Sequence, residues 1–121
     1  MTKTTRVFML FEAGTFIVAA LIHFGLLIDG YGHRKAGIAE SVIALVLVAG
    51  VALTTMRPDA TRAIGLAAQG FALAGTLVGI VTIAIGIGPR TAPDVLYHAA
   101  IVIVLVCGLV TAARSWRSEM T

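Results

Sequence analysis

Four long apolar stretches, at about residues 7–28, 36–56, 63–87 and 95–113, leave this chain few folds to choose from. Each is long enough to cross a bilayer, which takes about 20 helical residues. Hydrocarbon offers no partner for open backbone groups, so the stretches are predicted to be helices and not strands. The connectors "DGYGHRK", "RPDATR" and "GPRTAPD" are short and carry Gly, Pro and charge, which sets successive helices antiparallel. The expected fold is an all-α, integral membrane four-helix up-down bundle, a single transmembrane domain over residues 1–121.

Composition agrees. The chain is 59% hydrophobic and 12% charged, with a mean hydropathy of +1.00, whereas a soluble domain carries about twice that charge. The net charge of +3 is scattered at segment ends, which excludes a nucleic-acid surface. The lone Cys107, within "IVLVCGLV", excludes an internal disulfide and a thiolate metal motif, and reads as a small apolar filler.

Lys3, Arg6, Arg57, Arg62, Arg114 and Arg117 fall on one side of the predicted membrane, and Arg34, Lys35 and Arg90 on the other. The excess of basic residues marks the cytoplasmic side, so both termini are expected there, in a bacterial-type inner membrane. Tyr31 and Tyr97 on the outer side and Trp116 on the inner side fit interfacial aromatics. The first stretch is too long for a signal-peptide core and Glu12 interrupts it, so it is expected to be retained. Pro58 and Pro93 suit the first turns of helices three and four, with Asp59 and Asp94 at the positive dipole ends.

The ionisable groups inside the spans fall into two layers. Counting along the helices at about 1.5 Å per residue puts His23 about 9 Å below the outer end of helix one. Glu40 on helix two and His98 on helix four lie about 7 to 8 Å down by the same count. Asp94 and His98 are four apart, so the carboxylate is expected to orient the imidazole. His33 sits above this layer in the first outer loop. In the inner layer Glu12, eleven residues before His23 and hence on the same face, is expected to hydrogen-bond Gln69.

Ionisable side chains in a membrane are costly and by default mark function. The alternative is that they only hold helices together, because lipid gives no hydrophobic drive for helix association. His23, Glu40 and His98 make a donor set suited to a transition metal ion (zinc, iron or copper). His23 and His98 could equally serve as axial ligands of a b-type haem, with Gly25, Gly37, Gly86 and Gly88 giving room. Asp94 and His33 are the supporting groups behind that set. The same cluster could carry protons. On helix three, Gly75 and Gly79 form a small-xxx-small pattern, either an internal contact or a homodimer seam.

The stretches "FEAGTFIVAALIHFG" and "AGIAESVIALVLVAGVAL" resemble the DoxX-like family of small bacterial four-helix membrane proteins. Gly14, His23 and Glu40 are the matching positions, with His23 where many members have a basic residue. The resemblance covers the first half of the chain and implies a link to respiratory or redox membrane assemblies. The length, the four helices and Glu12 also resemble the small multidrug resistance antiporters, in which such a Glu exchanges protons for cationic drugs. Those proteins line the Glu site with aromatics, whereas helices two and three here contain one, Phe71. A third expectation is an accessory structural subunit of a larger membrane complex, which needs neither layer.

Overall fold

The computed structural model describes the backbone of residues 2–120 and the side chains of residues 2–115. Four helices follow one another: α1 (Thr2–His23), α2 (Arg34–Met56), α3 (Thr61–Ala84) and α4 (Ala92–Met120). A single 3-10 turn, Pro58–Ala60, joins α2 to α3. Each helix packs on its sequence neighbour, and α1 closes the ring against α4. The side chains of Trp116 and Arg117 lie outside the described residues.

The bundle holds polar side chains inside and keeps a largely apolar surface. Leu45, Val78 and Ile103 are 69%, 63% and 64% exposed, while Glu12, Gln69, Thr54 and His23 are buried. In water that arrangement would be unstable, and in lipid it is the expected one. All four helices are long and apolar enough to cross a membrane. The protein is an integral membrane four-helix bundle. Met9, Ala13 and Phe16 of α1 meet Ile43 and Leu47 of α2, Ala68 and Ala72 of α3, and Ile101 and Leu105 of α4 in its core.

Two helix ends fall earlier than the apolar pattern predicts: α1 stops at His23 and not at 28, and α3 at Ala84 and not at 87. Both stops have the same cause. Gly25 and Gly86 take positive φ, 76° and 88°, and each closes a pair of Schellman hydrogen bonds. Leu26 N–H donates to Leu21 O and Gly25 N–H to Ile22 O, while Ile87 N–H donates to Thr82 O and Gly86 N–H to Ile83 O. The helix starts differ too, α1 beginning at Thr2 and α4 at Ala92.

Residues 24–33 then fold back over the end of α1, where His33 N–H donates to His23 O at 2.8 Å. His33 caps α2 by accepting the Ala36 N–H on Nδ1 at 3.1 Å. That fixes the ring's proton on Nε2, which faces Ile87 O at 3.2 Å. One imidazole thus ties the α1–α2 link to the α3–α4 link. This is the loop end of the bundle.

Small residues set the helix separations. A Cβ on Gly50 would meet Ala68 Cβ at 3.0 Å and Met9 Sδ at 3.1 Å, and one on Gly65 would meet Thr5 Cγ2 at 2.7 Å. Gly75 lies against Ile43 of α2, and Gly79 against the His98 ring of α4. The small-xxx-small pattern of α3 is therefore used inside the bundle.

Gly25 has open space around its α-carbon, so Gly25→Ala probes the backbone alone. It is expected to lower stability in detergent by about 1–2 kcal/mol, the cost of a left-handed L-residue. Gly14→Ala, in the interior of α1 with equal space, should gain up to about 1 kcal/mol from helix propensity. Chemical unfolding of both variants checks the pair, and similar changes would remove the capping role of Gly25.

Candidate functional site

His23 is the last residue of α1, and both of its ring nitrogens face a carboxyl group. Nδ1 lies 2.5 Å from Glu40 Oε1 of α2, and Nε2 lies 2.9 Å from Asp94 Oδ1 of α4. The three residues are 5%, 6% and 8% exposed. One imidazole thus joins three helices.

Local structure presents each partner. The turn that Gly25 makes folds residues 24–33 back toward the His23 carbonyl. Glu40 lies six residues into α2, about 9 Å along its axis. Asp94 sits in the first turn of α4, held by a capping box formed with Thr91. The Thr91 N–H donates to Asp94 Oδ2 at 3.2 Å, the Thr91 hydroxyl donates to the same oxygen, and Asp94 N–H donates back to Thr91 Oγ1 at 3.4 Å. Oδ2 thereby serves the helix start and Oδ1 is left for His23.

The hydrogen-bond count defines the charge of this bridge. Two bonds between one imidazole and two carboxyl groups require two protons. Whether these make an imidazolium between two carboxylates or a neutral imidazole beside one carboxylic acid, the net charge is −1. A third proton neutralises the set. Removing one breaks a bond and sets a lone pair against a carboxylate in a low-dielectric interior, where such an arrangement is costly. The group is therefore chemically suited to taking up and releasing protons.

The remaining site expectations need correction. His98 lines the same cavity as Glu40 but takes a different hydrogen-bond partner from the His23–Glu40 pair. Its Nδ1–H donates to the backbone carbonyl of Asp94, one turn back, at 2.7 Å. Asp94 therefore orients His23 through its carboxylate and holds His98 only through its main chain. Among the described residues no group of three His, Cys, Asp or Glu side chains is arranged to hold a metal ion. His33 stands edge-on to His23, with ring centroids 6.4 Å apart, and its own ring bonds go to Ala36 N–H in the first turn of α2 and to Ile87 O in the α3–α4 link. Gly37 and Gly88, read above as room for a haem, are filled by the Phe24 ring and by Thr82.

Glu12 and Gln69 are both fully buried and meet beside Gly108 of α4, as the pattern predicts. The expected bond from the amide to Glu12 is absent, because Gln69 Nε2 donates to Gly65 O at 3.1 Å and Gly108 O at 3.2 Å. Between the layers Thr15 and Tyr97 share a hydroxyl–hydroxyl hydrogen bond at 3.1 Å.

The bridge separates two cavities. On one side a groove of about 740 Å³ runs between α1 and α4, with apolar walls that include Phe11, Val18 and Ile22, and with His23, Asp94 and Tyr97 at its surface. On the other a cavity of about 180 Å³ is lined by Glu40, His98, His33, Lys35 and Thr82. His23 and Asp94 border the groove, and Glu40 borders the smaller cavity. The capping box, readable as "TAPD", is the sequence signal that Asp94 has a fixed direction.

Comparison with family models, with curated proteins and with solved structures gives no match.

Removing one member of a buried ionic group while its partners remain costs about 3–5 kcal/mol. His23→Phe, which strands both carboxyl groups, should therefore destabilise the bundle by about that much. Adding Glu40→Gln and Asp94→Asn to His23→Phe should restore a large part of the loss. Unfolding in mild detergent measures both, and a triple variant no more stable than the single one would show that the contacts in the bridge are not coupled.

Proposed function

We propose that this chain is a bacterial-type inner-membrane protein that passes protons through Glu40, His23 and Asp94, between the small cavity and the apolar groove. The observation that carries the reading is that the two ends of one bridge border different cavities. In a transfer, a proton on the Glu40 carboxyl moves to His23 Nδ1, and the proton on His23 Nε2 moves to Asp94 Oδ1. The imidazole ends as the other neutral tautomer, and a proton has crossed the ring with no change in its charge. Histidine suits the central position because its two nitrogens face opposite ways and it titrates near neutral pH.

The groove admits an apolar molecule with a polar head that exchanges a proton with Asp94 or His23. Its size is that of small-molecule sites, about 300–1,000 Å³. The positive-inside pattern supports cytoplasmic termini, which puts the bridge in the outer leaflet. His23 and Glu40 are also the residues that carry the resemblance to the DoxX-like family, whose redox association is compatible with proton exchange.

One observation favours a second reading, binding of a transition metal or haem. With its proton on Nδ1, His98 has a bare Nε2 lone pair, and it lines the same cavity as Glu40. A metal there would take His98 Nε2 and a Glu40 oxygen, and would require the His23–Glu40 bond to open.

Proteoliposomes loaded with a pH-sensitive dye and driven by a potassium diffusion potential test the first reading. Glu40→Gln and Asp94→Asn are each expected to reduce proton flux by about a hundredfold, the scale of a positioned acid–base group. Flux that is unchanged in both variants removes the proposal. A Soret band or stoichiometric metal in the purified protein, lost in His98→Ala, selects the second reading.

A further inference from the structure

The inner layer contains a contradiction that one proton resolves. Gln69 Oε1 and both carboxyl oxygens of Glu12 are buried without a hydrogen-bond partner. Rotating the Gln69 amide does not help. Its Nε2 faces two backbone carbonyls, Gly65 O and Gly108 O, which can only accept, so the NH₂ belongs there. Both amide donors are thereby used, and Oε1 is left as an acceptor. Gly108 shows where it points. A Cβ on that residue would collide with Gln69 Oε1 and would lie 2.9 Å from Glu12 Oε2. The two acceptors converge on the notch left by one missing methyl group.

An ionised Glu12 has no donor. With both groups fully buried, two acceptors then face each other in a dry interior, an arrangement costing several kcal/mol in apolar surroundings. The carboxylic acid has one O–H, and Gln69 Oε1 is the acceptor placed to receive it. We propose that Glu12 and Gln69 form a sealed proton-binding site, in which Glu12 holds the proton and donates it to Gln69 Oε1.

The surroundings argue for a proton and against a larger occupant. Neither the groove nor the smaller cavity is lined by Glu12 or Gln69, and with both residues fully buried a proton is the occupant that needs no space of its own. No cation is paired with Glu12 among the described residues. Cations elsewhere have other partners: His23 meets Glu40 and Asp94, Arg57 meets Asp59, and Arg6, on the same helix, donates to Thr54 Oγ1 at 3.2 Å and to Thr54 O. Tyr97 of α4, packed against the same core, has its hydroxyl bonded to Thr15. From α3 the site receives the neutral Gln69, and from α4 the Gly108 backbone. The site lies about 16 Å from His23 along α1, far enough for the two layers to be tested apart.

Infrared spectroscopy of the protein in lipid at neutral pH reads the proton directly. The wild type is expected to show a carboxylic acid C=O band that shifts in heavy water and is lost in Glu12→Gln. It should persist in Glu40→Gln and Asp94→Asn, so failure of the outer bridge leaves this result unaffected. Gln69→Leu should move the band to higher frequency, because the acceptor is gone. Glu12→Gln is expected to fold, its amide N–H replacing the acid O–H toward Gln69. Absence of a Glu12-dependent acid band would overturn the proposal. So would a sodium- or potassium-dependent rise in melting temperature that Glu12→Gln abolishes, which would assign the site to a metal cation.

Discussion

Everything at the loop end of this bundle depends on His23 having no water to turn to. In an aqueous protein a terminal histidine of a helix would be solvated, and the helices around it would be held by their apolar faces. Lipid removes that second force, since tails wet a leucine as well as another helix does. Cohesion must then come from close packing and from polar groups that find partners only inside. His23 serves three helices at once through Glu40 and Asp94, and the glycines on α2 and α3 let the backbones approach closely enough for such contacts to form.

The two polar layers solve the same physical difficulty in different ways. The one at the loop end contains enough protons and acceptors to satisfy both imidazole nitrogens. The inner one is a donor short unless the carboxyl group carries its own proton. Between them the Thr15–Tyr97 pair, with Phe16 edge-on to the Tyr97 ring at 5.8 Å, interrupts the apolar core. Polar side chains therefore occur at intervals along the inner face of α1 without forming a continuous chain of hydrogen bonds. The layers are separate stations.

Much of this was legible in the chain before any coordinates. Four spans, their antiparallel order and the burial of Glu12, His23, Glu40 and Gln69 follow from the cost of exposing polar groups to hydrocarbon. What spacing could not supply was helix rotation. Asp94 and His98 share a helix face at four residues' distance, and counting makes them partners. In the structure the main-chain carbonyl of Asp94 serves His98, while its carboxylate is directed by Thr91 toward another helix. The pattern Thr91-x-x-Asp94 was present to be read as a capping box. The early stops of α1 and α3 were obscured for a related reason. Gly25 and Gly86 sit among apolar residues, so hydropathy runs straight through them, and their left-handed backbone is visible only as the known habit of glycine at a helix end.

Those stops affect how the molecule sits in its membrane. Past the capping glycines the chain stays greasy: Leu26, Leu27 and Ile28 are 69%, 56% and 51% exposed, and Ile87 is 66% exposed. Non-helical backbone thus carries aliphatic side chains beyond the last helical turns. The non-polar surface of the protein continues from the helices onto these two links, and a bilayer that covers all of it covers the ends of α1 and α3. Local thickening or thinning of the surrounding lipid would then bear first on these two links, and through His33, which staples them together, on the rim of the bundle itself.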